Sequence, residues 1–312
     1  MGRQLRIGTR ESDLAVWQAQ QVKQLLNNQG LDAELVFIRS EGDKDLVTPL
    51  YAIGVQGIFT RALDIALLND QIDIAVHSMK DVPVQLPEGI AQAAVLERAS
   101  YLDLLVPKSD TSLSVILNRD LNSSPAVIAT SSIRRKAQWL NKFPGDRVEN
   151  LRGNINTRLN KVQTENWDAA IFAAAGLERI NLRPSNAIEL DWMLPAPAQG
   201  AIMVVCKSGD QEVREAARMF NHEPTAICTF IERAFLSALL GGCSTPISAL
   251  AQIKNGNILF QGNMLSPDGT QKAEVTMEFE IDHPDNPGKV AAAAILEKGG
   301  QEIADTIRHA GI

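Results

Sequence analysis

From residue 6 to residue 205 the chain alternates short apolar runs with longer amphipathic ones, and nothing else in it limits the fold so tightly. Arg6-Ile7-Gly8-Thr9 reads as a strand. Ser12 can cap a helix reaching residue 27, because Leu14, Trp17, Val22, Leu25 and Leu26 form an apolar stripe at helical spacing. Residues 35–38 read as a strand, 57–68 as a helix and 72–76 as a buried strand. The same order returns later: strand 126–130, a helix capped by Ser131 or Ser132 and reaching 140, strand 148–151, helix 156–162 and strand 169–172. Strands that alternate with helices predict parallel βαβ units.

The two runs also resemble each other. Ile7-Gly8-Thr9-Arg10-Glu11-Ser12 parallels Ile128-Ala129-Thr130-Ser131-Ser132-Ile133-Arg134, and Asp73-Ile74-Ala75-Val76 parallels Asp168-Ala169-Ala170-Ile171. Two similarly built domains facing a cleft fit this pattern. Leu194-Pro195-Ala196-Pro197-Ala198-Gln199-Gly200 suits a hinge, after which strand 201–205 can return the chain to the first domain. The last third changes character. A helix over 225–239 precedes strands 247–253, 258–264 and 273–281, joined at Asn255-Gly256-Asn257 and Pro267-Asp268-Gly269, which are hairpin turns. A chain of 312 residues is too long for one simple core. The expected division is an α/β domain from 1–98 and 198–217, a second α/β domain from 99–197, and a smaller α+β domain from 218–312.

Charge and composition exclude several function classes. The net charge of −7 gives no global attraction for nucleic acid or an anionic membrane, although a local basic cleft is compatible with it. No stretch approaches the roughly 20 apolar residues of a membrane helix, and the first residues lack the apolar core of a signal peptide. Cys206, Cys228 and Cys243 are odd in number and lack metal-site spacing, so neither a disulfide framework nor a metal site is expected. A reducing cytoplasm is the expected compartment. His77, His222, His283 and His309 are scattered and read as surface or satisfied core residues.

Three groups of residues carry candidate chemistry. Arg10, Arg134, Arg135, Arg152, Arg158 and Arg179 lie in or beside strand-to-helix turns, where free backbone N–H groups and the helix dipole receive anions. Arginine adds bidentate recognition of carboxylates. One reading is a cleft for a polycarboxylate; the other is a set of solvated surface arginines. Val76-His77-Ser78-Met79-Lys80-Asp81-Val82-Pro83 ends a buried strand at the edge where open α/β sheets bind ligands. There Asp81 can act as an acid or base, or stabilise a cation; it can equally be a turn aspartate. Gly241-Gly242-Cys243 displays a thiol behind two residues without side chains, or simply ends a helix. Gly54-Val55-Gln56-Gly57 lacks the Lys-Ser/Thr ending of a nucleotide loop.

Taken together and in order, the Val76–Pro83 segment, Ala129-Thr130-Ser131-Ser132-Ile133-Arg134-Arg135, Leu151-Arg152-Gly153-Asn154-Ile155-Asn156-Thr157-Arg158-Leu159 and Gly241-Gly242-Cys243 resemble the motifs of the hydroxymethylbilane synthase, or porphobilinogen deaminase, family. The resemblance spans nearly the whole chain. It implies two doubly wound α/β domains of the type II periplasmic-binding-protein class, followed by an α+β domain. It implies a transferase of porphyrin biosynthesis that joins four porphobilinogens head to tail, releasing ammonia at each step, on a dipyrromethane cofactor. The cofactor would be attached by a thioether to Cys243, and Asp81 would be the catalytic carboxylate. Lys80, Asp81, Thr130, Ser131, Ser132, Arg134, Arg135, Arg158 and Gly242 would hold the cofactor; Arg10, Ser12, Phe59, Arg152 and Arg179 would meet substrate. Family members act as monomers, and uroporphyrinogen III synthase uses the product. The acetate and propionate of each pyrrole suit the arginines, and a fixed carboxylate suits the positive charge that develops when ammonia leaves and a pyrrole attacks. Two positions depart from the family: Gln56 stands where lysine is usual, and Ala198 where glycine is usual.

Two other classes remain open on sequence. A non-catalytic anion-binding protein of this architecture would explain the arginines but not Gly241-Gly242-Cys243. A cysteine-nucleophile hydrolase needs a histidine base, and none stands near Cys243 in sequence.

Overall fold

The computed structural model describes residues 3–39, 60–117, 124–239, 245–283 and 285–309. The chain opens with β1 (Leu5–Thr9), α1 (Asp13–Asn27), β2 (Ala33–Phe37), α2 (Arg61–Leu68), β3 (Ile74–Ser78) and β4 (Ile90–Val95). It continues through β5 (Asp103–Pro107), α3 (Asp110–Leu117), β6 (Val127–Ala129), α4 (Ile133–Lys142), β7 (Arg147–Glu149), α5 (Ile155–Thr164), β8 (Ala169–Ala173), α6 (Ala174–Arg179) and β9 (Ile188–Glu189). Next come β10 (Ile202–Lys207), α7 (Gln211–Arg218) and α8 (Glu223–Leu239). The last elements are β11 (Ile247–Lys254), β12 (Asn257–Leu265), β13 (Lys272–Glu280), α9 (Pro287–Ile295) and α10 (Gln301–His309).

Two five-stranded sheets have the same plan. The first runs β2-β1-β3-β10-β4, and the second β7-β6-β8-β5-β9. In each, three strands joined by helices lie parallel. A strand distant in sequence then inserts antiparallel: β10 between β3 and β4, and β5 between β8 and β9. The likeness of the two halves is therefore a likeness of topology, and both are doubly wound domains of the type II periplasmic-binding-protein class. The expected parallel βαβ units are present in both sheets, and the inserted antiparallel strands add to them. Asp103–Pro107 and Ile202–Lys207 are buried on both faces for nearly their whole length, so no alternation marks them or gives their direction.

Helices cover both faces of each sheet. In the first, α1 and α7 pack Ala19, Val22, Leu26, Val213 and Ala217 on one side, while Leu63, Ala66 and Leu67 of α2 cover the other. In the second, Trp139 of α4 and Val162 of α5 anchor opposite faces. Several helix starts are capped as their residue types require. Asn154 accepts from the Thr157 N–H at 2.9 Å, and Asn286 accepts from Gly288 with Pro287 in the first turn. Ser132, rather than Ser131, caps α4. Ser12 occupies the α1 cap position, but its hydroxyl makes no capping bond.

The C-terminal sheet β11-β12-β13 is an antiparallel meander backed by α8, α9 and α10. Asn255 and Gly256 take φ of 52° and 83°, the left-handed pair that a tight hairpin turn demands. At Gly288 an added Cβ would lie 2.1 Å from the Ile231 carbonyl oxygen, so α9 can cross α8 only with glycine there. The joint between this region and the rest is ionic. Glu232 of α8 is wholly buried and accepts from Arg98 at 2.6 and 3.1 Å, from Ala198 N–H at 2.6 Å and from Ala251 N–H at 2.8 Å. One carboxylate thus ties the end of β4, the crossover and β11 together. Removing its charge strands the Arg98 guanidinium in a dry site. Glu232→Gln should cost about 3–5 kcal/mol, measured as a lower urea midpoint; an unchanged midpoint would show that the pair holds nothing together.

Candidate functional site

The candidate residues gather where parallel strands end. Arg10 and Ser12 follow β1, Lys80 and Asp81 form the short 3₁₀ turn after β3, and Thr130 to Ser132 follow β6. Arg152 lies between β7 and α5, Arg158 on the first turns of α5, and Arg179 at the end of α6. The edges of the two α/β domains meet here. Asn156 donates to Asp13 at 2.6 Å, and the Arg179 guanidinium lies 5.6 Å from the centre of the Trp17 ring.

On the first domain, Asp81 is exposed and Lys80 half-buried. The Lys80 ammonium donates to Gln199 Oε1 at 3.3 Å. Burial pushes its pKa down to about 8, aided by Arg135 and Arg134 and opposed by Asp81 and Asp103. His77 is buried, and its Nε2 has no hydrogen-bond partner among the described residues, so it is not the satisfied core histidine expected. Burial first, and Arg10 second, push its pKa down to about 3 and keep the ring neutral.

On the second domain, the solvated-surface alternative fails for the first arginine pair. Arg134 and Arg135 are 4% and 7% exposed, and both bind the wholly buried carboxylate of Asp103. Arg134 Nη2 reaches Asp103 Oδ2 at 2.7 Å and its Nη1 reaches the Leu194 carbonyl at 2.6 Å. Arg135 places Nε and Nη2 on Asp103 Oδ1 at 3.1 and 2.7 Å, and Nη1 on the Ile171 carbonyl at 3.1 Å. Asp103 is the residue that the sequence did not reveal. It lies 31 positions before Arg134, on an inserted strand, and no local spacing links them.

Ser131 is spent on structure: its hydroxyl donates to the Leu151 carbonyl at 2.6 Å and accepts from the Leu151 N–H at 2.9 Å, and it also meets Asn150. Thr130 is buried, with Oγ1 accepting from the Ser132 N–H at 3.2 Å. Arg152 is buried, and Arg158 donates to the Gly153 carbonyl at 2.7 Å. Burial pushes the Arg158 pKa down to about 10; Arg135, Arg152 and Arg10 push the same way, and Asp81 opposes them. Arg179 gives Nη2 to the Gly200 carbonyl at 2.7 Å, and burial holds its pKa near 10. Phe59, Gly242 and Cys243, together with Gln56, lie outside the described residues.

Cations from both domains therefore act on one another around Asp81, and this crowding of like charge is relieved by a ligand with several carboxylates. Sequence comparison agrees with that chemistry. The profile for the porphobilinogen deaminase dipyromethane cofactor-binding domain matches residues 5–215, and that for the porphobilinogen deaminase C-terminal domain matches 226–297. The chain belongs to the porphobilinogen deaminase family. A porphobilinogen deaminase of Moorella thermoacetica is 39% identical, with 98% of this chain and 97% of the relative aligned. One of Pelotomaculum thermopropionicum is 40% identical, aligned over 99% and 98%. The BvgS periplasmic VFT2 domain of Bordetella pertussis is 13% identical over 71% of this chain and 90% of its own, at a TM-score of 0.41, a likeness too loose to add to the strand order.

Membership of the porphobilinogen deaminase family makes the chain an enzyme of tetrapyrrole biosynthesis with a dipyrromethane cofactor. The residues fit that group. Arg134 Nε is buried with no partner among the described residues, and each arginine of the pair keeps guanidinium N–H groups beyond those bound to protein. Among the described residues no helix is long and apolar enough to cross a membrane, and no cluster of side chains could hold a metal ion.

Proposed function

We propose that the protein condenses four porphobilinogen molecules head to tail, releasing ammonia at each step, to give hydroxymethylbilane, on a dipyrromethane joined to Cys243 by a thioether. The observation that carries this is the set of cations from two domains that act on one another around the exposed carboxylate of Asp81. When bound, the dipyrromethane supplies the nucleophilic pyrrole carbon on which the chain is extended. Arg134, Arg135 and Arg158, with Lys80 and the hydroxyls of Thr130 and Ser132, bind its acid side chains, while Ser131, its hydroxyl proton committed to Leu151, holds the shape of that turn. Arg10, Ser12, Phe59, Arg152 and Arg179 take the acetate and propionate of incoming substrate. Asp81 stabilises the cation formed as ammonia leaves and holds a proton on its carboxylate oxygen when the ring must lose one. Gly242 gives access to the Cys243 sulfur. The proposed domain limits remain 1–98 with 198–217, 99–197 and 218–312. We place the protein in the cytoplasm as a monomer whose product passes to uroporphyrinogen III synthase.

Intact mass and a porphobilinogen assay on the purified protein test this together. The expected result is a covalent increment of two pyrrole units and release of ammonia with substrate. A chain that binds polycarboxylates but carries no increment would instead be the anion-binding protein. The arginines divide further. Arg134→Leu or Arg135→Leu should yield mainly apoprotein, since charge-assisted bonds to the cofactor acids are lost. Arg10→Leu should load cofactor and stall during elongation, seen as altered populations of enzyme bearing extra pyrrole units after a substrate pulse. Equal loading and one common stalling point would overturn the division.

A further inference from the structure

Behind the proposed site, polar contacts run from the hinge into both domains. Gln199 is 1% exposed and sits between Ala198 and Gly200, whose φ values of 62° and 88° are both left-handed. Its amide nitrogen donates to the Tyr101 carbonyl at 2.8 Å and to Asp103 Oδ1 at 2.9 Å. Both partners only accept, so the nitrogen must face them and Oε1 must face outwards. There Oε1 receives the Lys80 ammonium at 3.3 Å. Gln199 is fixed from its other side too, because Arg98 Nε donates to its backbone carbonyl at 2.8 Å and Arg98 is itself anchored on Glu232.

Rotating this amide would place oxygen against carbonyl and carboxylate, and lysine against an N–H donor. The arrangement therefore has one stable sense. Asp103 is its origin: Oδ2 takes Arg134, while Oδ1 takes Arg135 twice and Gln199 once.

We infer that Asp103 is a positioning residue of the condensation site, a buried carboxylate that sets the angle of Arg134 and Arg135 and, through Gln199, the place of the Lys80 ammonium beside Asp81. This rests on the function proposed above. It assigns Asp103 no contact with substrate or cofactor. Its effect is transmitted through the groups that make those contacts.

Charge supports the geometry. Lys80 faces Arg134 and Arg135 from α4, Asp103 from β5, Asp81 from its own turn and the neutral Gln199 from the crossover. Two of the four charged neighbours discourage its proton and two retain it, and Asp103 is one of the latter. Asp103 itself is held well below the usual carboxylate range: Arg134 and Arg135 outweigh the cost of burying it, by charge and by hydrogen bond. It stays ionised throughout the working pH range. Without its charge, Lys80 would release its proton at lower pH, and the arginine pair would repel without a counter-ion.

The test uses the full-length enzyme with Asp103→Asn, Gln199→Met and, as a control, Asp146→Asn. Asp146 holds the Ala126 N–H at 3.0 Å and Trp139 Nε1 at 2.8 Å on the second domain. Asp103→Asn should purify with most molecules lacking the cofactor mass. In its loaded fraction the alkaline limb of turnover should lie about one pH unit lower than in wild type. Gln199→Met should load normally and show a smaller acidward shift, since it removes the oxygen that accepts from Lys80, together with the amide's own bonds to Tyr101 and Asp103, and leaves both arginines on the Asp103 carboxylate. Asp146→Asn should lower the thermal midpoint and leave the limb in place. If Asp103→Asn does not fold, Gln199→Met decides, and an unmoved limb overturns the inference. Full loading with an unmoved limb in Asp103→Asn also overturns it. A wild-type chain that neither carries cofactor nor consumes porphobilinogen would sink the functional reading and this inference with it.

Discussion

Cys243→Ser should purify as a folded protein with no covalent pyrrole increment and no measurable turnover of porphobilinogen. The exchange replaces sulfur by oxygen behind Gly241 and Gly242 and removes no large packing group. A serine hydroxyl is a far poorer nucleophile at neutral pH than a thiol. The other cysteines cannot take over. Cys206 and Cys228 are buried, and desolvation pushes both thiols up to about 11. At neutral pH roughly one molecule in ten thousand would carry a thiolate at either position, and neither could admit a pyrrole. Intact mass and peptide mapping check this. An adduct on Cys206 or Cys228, or activity retained in the serine variant, would overturn the assignment.

What the sequence made legible follows from distance along the chain. Local periodicity located α1, α4, α5, α8 and the C-terminal meander, because each is specified by residues a few positions apart. The return of strand 202–207 to the first sheet is legible from the apolar run behind the proline-rich segment. β4, β5, β9, α3, α6 and α7 are not legible in the sequence: some are short, and β5 has no polar face to give it a period. The arginines could be picked out because strand-to-helix turns are local. Their partner could not, because Asp103 reaches them across an antiparallel pairing with β8. His77 shows the same limit. A histidine in an apolar strand looks satisfied until its Nε2 is found without a partner among the described residues. Ala198, which stands where the family usually has glycine, occupies left-handed backbone, where an alanine side chain is strained and glycine is not.

Asp81→Asn should leave a folded protein that still loads cofactor and turns over porphobilinogen about 10²-fold or more slowly. The two carboxylates near the site are used differently, and that contrast gives the prediction its direction. Asp103 is wholly buried and bound to two arginines and Gln199. Asp81 is exposed at the end of a short turn and makes no ion pair or hydrogen bond among the described residues. Folding therefore does not depend on the Asp81 charge, and the thermal midpoint should remain close to wild type. Its field still reaches Lys80 and Arg158, where it favours the charged form of each. A carboxylate uncommitted among the described residues is available for positive charge that exists only as ammonia departs and pyrrole attacks. An interaction realised mainly at that moment lowers kcat when it is lost, with little change in KM. Asparagine keeps the shape but has no negative charge and cannot take a proton. Asp81→Glu keeps both properties on a longer arm and should recover part of the rate. Near-normal kcat in Asp81→Asn, or a loss seen entirely in KM, would move the catalytic role to another group, and the neutral, buried His77 on the preceding strand would be the first to replace.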